Sequence, residues 1–228
     1  MMSLAEDGRP ISMTWHYTPR EIMADGVIHG LGVVLGLTGA VALVATAITA
    51  HLGLGERAAV VVYAAALVLM LGVSAIYNLH PVSPRKWLLR RADHALIYLM
   101  IAGTYTPLVA LVGSGSRAYG LLAMIWAVAL VGIAVKLLLP GRFDRLSIVL
   151  YLLLGWSGLF AYESVIAALE PTALWLLAIG GGLYSIGVLF HVWRTLPFQN
   201  AIWHGFVLAA TACHYGTIWA SLNGLPTT

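Results

Sequence analysis

Seven stretches of membrane length dominate the chain, at about 27–50, 58–79, 94–113, 119–139, 146–168, 172–191 and 201–221. A helix of roughly 20 apolar residues crosses the hydrocarbon core of a bilayer, and within that core its backbone groups must be satisfied by the helix itself. The separators are short: 51–57, 81–91, 113–117, 140–145, Glu170-Pro171 and 194–200. This spacing predicts an all-α protein, a polytopic seven-transmembrane-helix bundle. Residues 1–25 read as a polar tail without the apolar core of a signal peptide, 26–222 as the bundle, and 223–228 as a short second tail. Only 9% of residues are charged and 61% are hydrophobic, whereas a soluble domain is about a quarter charged. Cys213 is the single cysteine, which excludes an intrachain disulfide and a cysteine-rich metal site.

The cations orient the bundle. With seven spans, one side receives the N-terminal tail and the second, fourth and sixth loops. Arg9, Arg20, Arg85, Lys86, Arg90, Arg91, Lys136, Arg142, Arg145 and Arg194 fall there, ten of the twelve lysines and arginines. Arg57 and Arg117 fall on the other side. The positive-inside rule then places the N-terminus in the cytoplasm and the C-terminus outside it, with the bacterial inner membrane as the expected location. The net charge of +3 is absorbed by these loops, so no nucleic-acid partner is expected; membrane lipids are. A homo-oligomer is compatible with the sequence.

Polar residues gather at one depth. The second span closes with Ser74 and Asn78, the third opens with Asp93 and His94, and the seventh opens with Asn200 and His204. Ser74 and Asn78 share a helix face at i,i+4, as do Asn200 and His204. His29 in the first span and His191 closing the sixth lie at a similar level, whereas His214 and Glu163 fall elsewhere. Ionisable groups at such positions raise a functional-site hypothesis. Two readings stay open here: interhelical hydrogen bonding with helix capping, or a metal or catalytic site with imidazole ligands, a carboxylate and a serine.

The segments Glu21-Ile-Met-Ala-Asp25-Gly-Val-Ile-His29-Gly, Ser74-Ala-Ile-Tyr77, RRADHALIYLMIAGTYTP, Ala201-Ile-Trp-His204-Gly-Phe-Val-Leu and His214-Tyr215 resemble the hemolysin III family of bacterial membrane proteins. That family is related to the progestin and adipoQ receptors and, more remotely, to the alkaline ceramidases. The resemblance runs from about Tyr17 to Trp219 and implies the same seven-helix, N-inside bundle. It also implies a zinc site like that of an amide or ester hydrolase. Its parts are a serine and a histidine four residues later on the second helix, an aspartate opening the third, and a His-x-x-x-His pair on the seventh. Ser74, Asp93 and His204 match that pattern, with Ser74 and Asp93 in catalytic roles and His204 as a ligand. Asn78 and Asn200 stand where two histidines are expected.

A neutral amide oxygen is a hard, weak donor that suits calcium or magnesium better than zinc. The expectation is therefore no cofactor, or a weakly held metal, at a degenerate site. His80 is a substitute ligand only if the end of the second helix unwinds, because two residues turn a helical side chain by about 200°. An Asn78–Asn200 amide bridge would join the second and seventh helices directly. The expected function is lipid binding or membrane homeostasis, with a metal-dependent lipid amide or ester hydrolase and a pore-forming activity as alternatives. No helix carries the continuous polar stripe that a pore needs. The rim of Arg85, Lys86, Arg90 and Arg91 would attract anionic head groups at about 1 kcal/mol each.

Overall fold

The tetrapeptide Thr18-Pro19-Arg20-Glu21 starts the first helix with a capping box: the Glu21 amide donates to the Thr18 hydroxyl oxygen, and Glu21 accepts from the Thr18 amide at 2.8 Å. Proline suits the first helical position because its missing N–H would have no intrahelical partner there. Helix α1 therefore runs Pro19–Thr49, and residues 19–25, expected in the polar tail, form its opening turns. The computed structural model describes residues 17–112, 115–139, 141–161, 163, 166–167 and 169–224. Among them follow α2 (Leu54–Leu79), α3 (Pro84–Val112), α4 (Gly115–Leu138), α5 (Asp144–Trp156), α6 (Pro171–Val192) and α7 (Gln199–Asn223), with no strand.

Five of these helices, α1 to α4 and α6, are long and apolar enough to cross a membrane. Helix α5 is thirteen residues long and continues as a 3-10 turn over Ser157–Ala161. Helix α7 is long enough, but Gln199, Asn200, His204, Thr211, His214 and Thr217 lower its hydropathy. The helices close a ring in which α7 packs between α6 and α1, and α3 touches α2, α4, α5 and α7.

The pattern along α1 is inverted relative to a soluble helix. Its buried stripe is Asp25, His29, Gly32, Gly36, Ala40, Leu43 and Ala47, while Val27, Leu31, Val34, Leu35 and Val41 are exposed. Large apolar side chains pointing outward and small or polar ones pointing inward are what a lipid surround selects. The Gly103–Pro107 segment of α3 has its own task. Tyr105 donates to the Gly155 carbonyl at 2.8 Å and accepts from the Gly158 amide at 2.8 Å. It thereby satisfies backbone groups where α5 changes into the 3-10 turn.

Two of the four cations at the start of α3 turn inward. Lys86 Nζ donates to the carbonyls of Asn78 at 3.1 Å and His80 at 2.8 Å, capping the end of α2. Arg90 reaches Asp144 at 2.9 Å, and Lys136 reaches the same carboxylate at 2.7 Å, tying α3, α4 and α5 together. Lys86 and Arg90 are buried, so the basic rim expected to greet head groups is reduced to its exposed members. The Lys136 side chain is 3% exposed, and removing its partner would leave two cations uncompensated. Asp144→Asn should cost on the order of 3 kcal/mol in thermal unfolding of detergent-solubilised protein. Arg85→Gln on the exposed face should change stability by less than about 0.5 kcal/mol.

Candidate functional site at the basic end of the bundle

Glu21 brings the first and last helices together. Besides closing its own capping box, it accepts from the Phe198 amide at 2.9 Å. Phe198 is the N-cap of α7 and has a left-handed φ of 57°. With the two helix starts joined, positions one turn further along each helix face one another. Asp25 on α1 then meets Asn200 and His204 on α7.

Asp25 is 4% exposed, and a carboxylate at that depth is stable only with hydrogen-bond partners. One oxygen takes His204 Nδ1 at 2.7 Å and the other takes Asn200 Nδ2 at 2.8 Å. His29 lies one turn along α1, with Nδ1 at 2.9 Å from the Asp25 carbonyl and 3.5 Å from its carboxylate. Both neighbours of that nitrogen can only accept, so Nδ1 carries a proton, while Nε2 faces the NH2 of Asn78, which can only donate. His29 Nε2 faces Ser74 Oγ at 3.4 Å and Asn78 Nδ2 at 3.4 Å. The rings of His29 and His204 meet edge to face with centroids 4.4 Å apart.

The two asparagines occupy each other. Asn200 Nδ2 donates to Asn78 Oδ1 at 3.1 Å, and Asn78 Nδ2 donates to the Ser74 carbonyl at 2.9 Å and to Ser74 Oγ at 3.3 Å. The amide bridge between α2 and α7 is present, and Asp25 extends it to α1. Asn78 has its carbonyl oxygen engaged and its NH2 turned towards Ser74 and His29, so these amides do not fit a zinc shell on α2 and α7. A different group has ligand reach: atoms of Asp25, His29 and His204 all lie within 4.8 Å of one another.

His80 is the C-cap of α2 with extended backbone, and its carbonyl is taken by Lys86. It is not part of that group. His94 sits on the Arg90, Lys136 and Asp144 side of α3, and its carbonyl accepts from Tyr151 at 2.8 Å. Asp93 and Ser74 share one cavity lining. Together with His204 they line one end of a cavity of about 370 Å³ that opens past the exposed Leu159 and Ile166. That volume falls in the ~300–1,000 Å³ range of small-molecule sites. Its walls are mainly apolar, with Met70, Ile97, Leu121, Leu177 and Val207 among them, and the α3 lining runs from Asp93 to Val109. Sixteen residues of helix give a length of about 24 Å. His214 and Tyr184 line the cavity further from Asp93.

Asp25 is the residue the sequence reading missed. Its signal was available: Glu21, Asp25 and His29 recur at i,i+4 behind a Thr-Pro-x-Glu start, which marks a helix with one polar face.

The family profile described as Haemolysin-III related matches residues 17–215. The Hemolysin-3 homolog of Bacillus subtilis (strain 168) is 35% identical over 202 residues, covering 87% of this chain and 93% of that protein. Hemolysin-3 of Bacillus cereus is 35% identical over 194 residues, covering 85% and 88%. The human Monocyte to macrophage differentiation factor is 32% identical over 181 residues, covering 75% and 74%. No solved structure gives a significant match. A match spanning the capping box, the Asp25 cluster and the cavity walls carries one conclusion: this chain belongs to the haemolysin-III-related family.

Proposed function

We propose that this protein binds the acyl chain of a membrane lipid in the cavity, with the lipid's polar end at Ser74, Asp93 and His204, in the service of membrane homeostasis. The observation that supports this most is the cavity itself: long, mainly apolar along its walls, with Ser74, Asp93 and His204 together at one end. An apolar lining favours a hydrocarbon occupant by about 25 cal/mol per Å² removed from water. The few convergent polar groups give that occupant a direction. In this reading all seven helices span the bacterial inner membrane, the basic end lies in the cytoplasm and the C-terminus lies outside. Lipid then enters from the inner leaflet.

A second reading is favoured by one specific observation, the ligand reach of Asp25, His29 and His204. These residues would hold a divalent ion, which when bound supplies a polarised water for amide or ester hydrolysis. Ser74 and Asp93 would then bind and orient the substrate's head.

Two measurements separate these readings. Lipid extraction and mass spectrometry of detergent-purified protein should recover a bound acyl lipid. Ala178→Phe, which fills the cavity from α6, should reduce that recovery about tenfold, an effect of about 1.4 kcal/mol. Equal recovery from both proteins rules out the cavity as the lipid site. Elemental mass spectrometry should find zinc well below stoichiometric in the native protein and higher in an Asn78→His/Asn200→His variant. Stoichiometric zinc in the native protein, lost in His29→Gln, would put the hydrolase reading first.

A further inference from the structure

Ser74 stands between two spaces. On one side it lines the long cavity, and on the other it lines a small niche shared with His29 and His204. Its hydroxyl oxygen lies 3.4 Å from His29 Nε2, which also faces the Asn78 NH2, while His29 Nδ1 donates to the Asp25 main-chain carbonyl at 2.9 Å and lies 3.5 Å from the Asp25 carboxylate. Asn78 Nδ2 lies 3.3 Å from the same hydroxyl oxygen. A nucleophile, a base within reach of it, a group orienting that base and a nearby N–H donor are the parts of serine-type acyl transfer. Nucleophile-to-base distances are commonly longer before substrate binds.

We propose that Ser74, His29 and Asp25 form a metal-independent acyl-transfer triad that cleaves an ester or amide of a lipid held in the cavity. The inference rests on the lipid-binding reading. Ser74 Oγ attacks the acyl carbonyl carbon, forming a C–O bond, while its proton passes to His29 Nε2. The ester C–O or amide C–N bond breaks, and the leaving alcohol or amine takes that proton. Water then attacks the acyl-serine ester, giving its proton to His29, and the fatty acid departs as Ser74 recovers a proton. Asn78 donates to the oxyanion. Asp25 is a positioning residue acting through His29.

His204 and Asn200 already balance the Asp25 carboxylate, so His29 is free to turn its second nitrogen to Ser74. The Asn78–Asn200 bridge fixes the amide donor beside the nucleophile. The loss of two histidines from the expected zinc pattern thus coincides with a hydrogen-bond network that needs no ion.

The test is labelling of purified, lipid-retaining protein with a long-chain alkyl fluorophosphonate in excess chelator. Attack by Ser74 Oγ at phosphorus expels fluoride and leaves a stable adduct that peptide mass spectrometry locates. The expected result is an adduct on Ser74, none in Ser74→Ala, and inactivation about 100-fold slower in His29→Gln. Asp25→Asn should lower the maximal inactivation rate while the half-saturating probe concentration holds. Thermal unfolding of each variant separates loss of chemistry from loss of fold. An unlabelled Ser74 in protein that still carries lipid overturns the triad and leaves the lipid site standing. Labelling at the native rate in His29→Gln, or labelling that requires added zinc, also overturns it. Absence of lipid from the native protein instead overturns the reading on which the triad rests.

Discussion

A carboxylate taken out of water must be compensated where it sits, and in this bundle that requirement falls on Asp25. Leaving such a charge unpaired costs several kcal/mol even after relaxation, so its partners are not free to drift. His204 and Asn200 come from α7, and His29 from the next turn of α1. Through Asn200 and His29 the constraint passes to Asn78 and Ser74 on α2. Three helices that are far apart in sequence are thereby fixed at one level. Glu21 sets up the approach by holding the start of α7 against the start of α1.

The other buried charges follow the same logic at the same end. Arg90 and Lys136 share Asp144, and Lys86 spends its donors on the last carbonyls of α2. Helix ends leave carbonyls without intrahelical partners, and in an apolar surround a lysine is an efficient way to satisfy them. Lys86 and Arg90 therefore act as structural pins. Arg90 and Arg91 also flank the buried Trp87 ring, at 5.4 and 5.6 Å from its centroid.

Much of this was legible in the residues, and the reasons are specific. Apolar runs of bilayer length identify helices without reference to tertiary context: the described residues hold seven helices, five of them long and apolar enough to cross a membrane. The i,i+4 pairs Ser74/Asn78 and Asn200/His204 announced shared faces, and the amide bridge between them is present. What escaped was the partner across the bundle. Asp25 sits near the polar start of the chain, so hydropathy assigns it to a tail; only the capping box of Thr18 and Glu21 moves the helix start back to Pro19. The inward turn of Lys86 and Arg90 was equally hidden, because a cluster of cations reads the same whether it faces solvent or carbonyls. His80 shows the converse: near the site in sequence, it is spent at a helix end.

The paired asparagines give the site its character. An imidazole offers a lone pair to a metal, whereas an asparagine NH2 offers protons, and replacing one with the other reverses what the centre of the cluster attracts. Interhelical hydrogen bonds in membranes are worth about 0.6 kcal/mol each on average, so the network joining α1, α2 and α7 binds more loosely than a coordinated ion would. Its members compensate by number and by sharing the Asp25 carboxylate as a common acceptor. That sharing has a chemical outcome. With His204 Nδ1 on the Asp25 carboxylate and His29 Nδ1 on the Asp25 main-chain carbonyl, the second nitrogen of His29 faces the Ser74 hydroxyl. Donor groups at the asparagines and the His29 ring nitrogen thus converge on Ser74, as the proposed acyl transfer requires.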